Sequence, residues 1–232
     1  MSLTREQIKN GLFDQMRHEA GPQYWAERRT PEEFHETRMD ILRRRPADAD
    51  GIWVFGYGSL MWNPAMNLAE QRPARIRGYH RAYCLQSAFG RGTPEKPGLM
   101  LALKPGGSVY GMALRLHDET LDEELEIVWK REMSSGAYSA RWFRAETVDG
   151  PVWAISFVIN RDHPRYVCDM PDELMAERIA TAAGRNGTCR EYLENTVRHL
   201  NLIGQKDGPM HRLLRLVERL GGDGPSQEGN RQ

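Results

Sequence analysis

Two features of this sequence could do chemistry together. One is a turn bracketed by glycines, Val54-Phe55-Gly56-Tyr57-Gly58-Ser59-Leu60-Met61; the other is a carboxylate, Glu132, at a position where a core residue is expected. Gly56 and Gly58 free the backbone for conformations closed to other residues, and a ligand can approach such a main chain closely. Successive N–H groups of the turn can converge on an anion or a polarised carbonyl oxygen. Glu132 continues a helical stripe of Leu121, Leu125 and Val128, spaced by four and three. Burial there, together with the negative end of the helix dipole, should raise its pKa into a range useful for proton transfer. The competing assignment is an ion pair of Glu132 with Arg131 or Arg141 at the helix end.

Two familiar enzyme motifs overlap the turn, and neither fits. A dinucleotide fingerprint requires a third glycine where Met61 stands. A nucleophile elbow requires glycines where Tyr57 and Met61 flank Ser59, so Ser59 is a poor acyl nucleophile.

The elements that must position these groups follow from the local pattern. Ile52 to Phe55 is an apolar run suited to a strand buried on both faces. Further strands are expected at 75–88, 99–104, 109–116, 141–148 and 152–160, a number of short strands that suggests a mixed or antiparallel sheet curling into a barrel. A helix is expected at about 118–132. The loop Gly90 to Gly98, stiffened by Pro94 and Pro97, is of the kind that lines sites or simply joins a hairpin. Residues 1–48 read as a helical extension, with capping boxes at Thr4 to Gln7 and Thr30 to Glu33, and the Arg43-Arg44-Arg45 run reads as a solvated helix end. Helices are also expected near 171–183, 188–204 and 209–220, followed by a disordered tail at 221–232.

Composition narrows the function classes. Thirty-two basic residues balance thirty-two acidic ones in 232, giving no electrostatic case for nucleic acid and favouring a small-molecule partner. Cys84, Cys168 and Cys189 form no paired motif, and the seven histidines lack metal-ligand spacing, so a reducing cytoplasm without a metal mechanism is expected. No apolar stretch approaches the length that would insert in a membrane.

Four segments in register resemble the ChaC family of γ-glutamylcyclotransferases: Trp53 to Trp62, Gly78-Tyr79-His80-Arg81, Arg91 to Gly98, and Trp129-Lys130-Arg131-Glu132. Gly187-Thr188-Cys189-Arg190-Glu191-Tyr192-Leu193 resembles that family too, so the likeness spans about 51–220. It implies an α+β fold, a small mixed β-barrel with flanking helices over 49–220, here preceded by the extension at 1–48. It implies a lyase that splits glutathione into 5-oxoproline and cysteinylglycine with no cofactor. It also implies that Tyr57, Gly58, Ser59 and Leu60 hold the γ-glutamyl group, that Glu132 is the general acid/base, and that Tyr138 contacts substrate. The segment from Glu132 to Tyr138 is longer than in the family's eukaryotic glutathione-specific members.

The chemistry is consistent with the residues. The α-amine of a γ-glutamyl compound can close a five-membered ring on its own γ-carbonyl, so the protein chiefly holds the folded conformer and relays one proton. Two rival readings are a non-catalytic module binding a γ-glutamyl metabolite or a transport partner, and a cyclotransferase for other γ-glutamyl amino acids or amines. A costly buried carboxylate favours an enzyme over a binding module. The extension is expected to pack on the domain or mediate homo-oligomer formation, without a direct part in turnover.

Overall fold

The computed structural model describes residues 3–222. Four helices come first: α1 (Arg5–Lys9), α2 (Leu12–Ala20), α3 (Pro22–Ala26) and α4 (Pro31–Arg43). Both capping boxes form, with Thr4 and Thr30 accepting from the backbone of Gln7 and Glu33, whose side chains reach back to the cap amides. Arg44 and Arg45 lie on the surface at the end of α4, Arg44 pairing with Asp40.

Five strands then close a barrel in the order β1 (Trp53–Gly56), β3 (Gly98–Leu116), β2 (Leu68–Ser87), β4 (Tyr138–Thr147) and β5 (Gly150–Ile159). Neighbours are antiparallel except β1 on β5, where Trp53 faces Ala154, and a parallel contact of β3 with β5 at Leu103 and Val158. The barrel is therefore mixed, as expected. Every residue of β1 is buried. Val54 joins a core shared with α5 (Leu121–Glu132), while Trp53 and Phe55 join a second core beneath α6 (Asp172–Thr181), α7 (Cys189–Leu202) and α8 (Gly208–Gly222).

The two strands expected at 99–104 and 109–116 are one strand. Gly106 and Gly107, at φ of 103° and 74°, absorb a bulge opposite Gly78 at 84°, and pairing resumes from Tyr79–Pro105 to Arg77–Ser108. Pro105-Gly106-Gly107, in the gap between the two expected strands, is a kink within a long hairpin. Its partner β2 begins at Leu68 rather than near 75, because its first residues alternate half-buried and exposed and carry charge. A short hairpin, β6 (Ala183–Gly184) with β7 (Gly187–Thr188), occupies what the sequence suggests is only a break between helices. Of the expected tail, Gly221 and Gly222 extend α8 and the remainder lies outside the described residues. No helix among the described residues is long and apolar enough to cross a membrane.

The extension is bound tightly to the barrel. Arg5 makes a bidentate pair with the fully buried Glu124, at 2.5 and 2.9 Å. The indoles of Trp129 and Trp142 donate to Thr37 Oγ1 at 3.2 Å and to the Ile41 carbonyl at 2.8 Å. Arg29 donates to the carbonyl of Met133 at 2.8 Å, and its own amide to that of Ser134 at 3.1 Å. These last contacts grip the chain immediately after Glu132.

Candidate active site

The turn after β1 is compact because its neighbours leave no room for a side chain. Neither Gly56 nor Gly58 has a positive φ, and Gly58 stands at φ −135° and ψ −129°, outside the regions that other residues favour. A Cβ on Gly56 would stand 2.8 Å from Leu60 Cβ, and one on Gly58 would stand 2.6 Å from the Tyr192 hydroxyl. Ser59–Met61 then form a single 3-10 turn. The amides of Met61, Trp62 and Asn63 are spent on the carbonyls of Gly58 and Ser59. Those of Gly58 and Leu60 have no protein acceptor among the described residues, and the Ser59 amide faces the Tyr192 phenol.

Glu132 is the last residue of α5. Its side chain is 15 % exposed and opens, with Tyr57 to Leu60 and Tyr138, onto one cavity of about 430 Å³. Arg131 Nε lies 3.1 Å from Glu132 Oε1, so the ion pair weighed from sequence forms with Arg131. Arg141 points elsewhere, to Tyr79 Oη at 3.4 Å. The pair does not lower the carboxyl's pKa overall: burial raises it, and Arg131 offsets only part of the shift.

Arg131 also ties the turn to the helix. Its Nη2 donates to Ser59 Oγ at 2.8 Å and its Nη1 to the carbonyls of Asn63 at 2.5 Å and Pro64 at 3.3 Å. Ser59 thus faces a guanidinium, which donates protons and cannot accept one. That environment does not activate a nucleophile.

Three phenols surround the carboxylate. Tyr57 donates to the Phe157 carbonyl at 2.8 Å and Tyr138 to that of Leu101 at 2.9 Å. Burial first, and nearby acidic groups including Glu132 second, push both well above the usual tyrosine value, and Tyr192 to about 12. All three are neutral at physiological pH.

The 90–98 loop lines the same cavity at Gly90 and Arg91. Cys189 at the start of α7 pins it, its thiol donating to the Arg91 carbonyl at 3.1 Å and accepting from the Leu99 amide at 3.2 Å. Every residue proposed from sequence, Tyr57, Gly58, Ser59, Leu60, Glu132 and Tyr138, therefore reaches one cavity. From sequence Arg131 is only a candidate ion-pair partner of Glu132, and Tyr192 has no role, although both stand within the segments that carry the family resemblance. Sequence reasoning also missed α2, which contributes Phe13, Met16 and Arg17 to the cavity wall.

A family model described as ChaC-like protein matches residues 52–220, and the chain belongs to that family. It is 44% identical over 180 residues to a protein of Escherichia coli (strain K12) named glutathione-specific gamma-glutamylcyclotransferase, covering 77% of this chain and 78% of that one. A mouse protein named glutathione-specific gamma-glutamylcyclotransferase 1 is 30% identical over 179 residues, covering 75% and 80%. Among solved structures, the yeast gamma-glutamyl cyclotransferase specific to glutathione has the same fold, with a TM-score of 0.67 at 22% identity over 73% of this chain and 96% of that one.

Proposed function

We propose that this ChaC-like chain is a γ-glutamylcyclotransferase that cleaves glutathione to 5-oxoproline and cysteinylglycine, with Glu132 as general acid/base. The observation that carries the reading is a buried carboxyl of raised pKa facing the same cavity as a turn with unclaimed amides. The names of the relatives support glutathione as the substrate.

In the proposed reaction the γ-glutamyl group folds against Tyr57 to Leu60. Glu132, ionised, takes a proton from the α-ammonium. The freed amine attacks the γ-carbonyl, forming the ring C–N bond, and the oxyanion is received by amides of the turn. The bond to the cysteine nitrogen then breaks as Glu132 returns the proton to that nitrogen, and the ring nitrogen passes its second surplus proton by way of the same carboxylate to the departing amine, which leaves as an ammonium beside the neutral lactam. Atoms and charge balance without water or a protein nucleophile. Arg131 keeps the turn and the carboxylate in register, and neutral Tyr57 and Tyr138 shape the wall. Three unpaired thiols support a reducing compartment, the cytoplasm, as the place of action.

Incubating the purified protein with glutathione should release 5-oxoproline and cysteinylglycine in equal amounts. Free glutamate in place of 5-oxoproline would mean hydrolysis. Release from γ-glutamyl-alanine but not from glutathione would move the substrate to γ-glutamyl amino acids.

A further inference from the structure

The extension at 1–48 lies outside the residues matched by the family model, yet it places a cation in the cavity. Arg17 of α2 is 2 % exposed. Its Nη1 is 3.1 Å from Asp14, its Nη2 donates to Ser134 Oγ, and its Nε has no hydrogen-bond partner among the described residues. Arg165, from the segment after β5, stands beside it: both guanidiniums lie over the Phe89 ring, at 5.8 and 5.3 Å from its centroid. Arg165 Nη2 donates to Ser135 Oγ at 2.8 Å, and its Nε lies 2.8 Å from Glu27.

Positive charge is in excess here. Asp14 is shared with Arg28, whose Nε is 2.9 Å away, so three guanidiniums divide two carboxylates. The surroundings register this field: His163 is lowered to about 4, by burial first and then by Arg165 and Arg29, and stays neutral. A buried guanidinium with an unused donor, in a positive pocket and stacked on an aromatic ring, matches the geometry and charge of a carboxylate.

The position fits the substrate. Ser134 and Ser135, which the arginines hold, follow Glu132 by two and three residues. Two residues of extended peptide span about 7 Å, so a carboxylate ending a two-residue leaving group can meet the arginines while its scissile carbonyl lies at Glu132. We propose that Arg17, with Arg165, receives the terminal carboxylate of the leaving dipeptide, so that the N-terminal extension sets preference for glutathione over substrates lacking that carboxylate. The proposal rests on the cyclotransferase reading and deepens it.

The test compares kcat/KM for glutathione and for its glycine ethyl ester, which keeps the scissile bond and loses the charge. The wild type should prefer glutathione by roughly tenfold to a hundredfold, the range expected for a charge-assisted hydrogen bond. Arg17→Met should lose that factor on glutathione while changing the ester less than about threefold, and Arg17→Lys should restore part of the preference. A role in folding alone would lower both substrates together. Equal losses on the two substrates, or a wild type that does not distinguish them, would overturn the proposal. If Arg17→Met does not fold, the wild-type ratio and Arg17→Lys still decide. A wild type that forms no 5-oxoproline from either substrate would instead overturn the cyclotransferase reading itself.

Discussion

Glu132→Gln replaces one carboxylate oxygen with an amide and leaves the shape of the site nearly unchanged. The remaining Gln oxygen can still accept from Arg131 Nε, 3.1 Å from Oε1 in the native chain, and Arg131 keeps its bonds to Ser59, Asn63 and Pro64. The turn should therefore hold, and KM for glutathione should stay within about threefold. What is lost is the proton carrier. Removing a general acid/base costs about a hundredfold to ten-thousandfold, or roughly 3–5 kcal/mol of barrier. Two pH measurements sharpen the test. Because burial raises the Glu132 pKa, the acid limb of the wild-type kcat/KM profile should lie above the ordinary carboxylate range and be absent from the residual activity of the variant. Stability follows the same shift. A folded pKa raised above the unfolded value gives stability that is full below the unfolded pKa and is lost as pH rises through the folded one. Across that window the wild type should lose stability relative to Glu132→Gln, measured by urea unfolding at both ends. A variant retaining more than about a tenth of wild-type turnover, or an unmoved acid limb, would refute the assignment.

Ser59→Ala removes one Arg131 contact and should cost less than about tenfold in kcat; an inactive variant, or an acyl adduct trapped on Ser59 in the wild type, would point to a covalent mechanism instead. Arg5→Met leaves the fully buried Glu124 with its Asn67 amide bond but no cation and should destabilise the chain by about 3–5 kcal/mol, read from the denaturant midpoint, with Glu124→Gln in the same background recovering much of the loss. Tyr138→Phe removes the hydrogen bond to the Leu101 carbonyl and should cost about 0.5–1.5 kcal/mol in stability; an unchanged urea midpoint would show that this bond contributes nothing.

The sequence by itself determined what local chemistry controls. The capping boxes at Thr4 and Thr30 formed as spelled, because both partners of each bond lie within four residues. The stripe of Leu121, Leu125 and Val128 exposed the anomaly of Glu132, because helical period alone places that carboxylate beside the core. The all-apolar β1 announced burial on both faces. Tertiary structure decided whatever depended on residues far apart in the chain. Glu124, more deeply buried on the same helix, drew no notice because its position on the stripe is explained only by Arg5, 119 residues away. Gly106-Gly107 falls in the gap between two expected strands and is a bulge because β2 continues to pair across it. Gly58 must be glycine because Tyr192 comes back from α7 to fill the space of a Cβ. Arg17 reaches the cavity only because α2 folds against the segment after Glu132, a placement that no periodicity in the first 48 residues encodes.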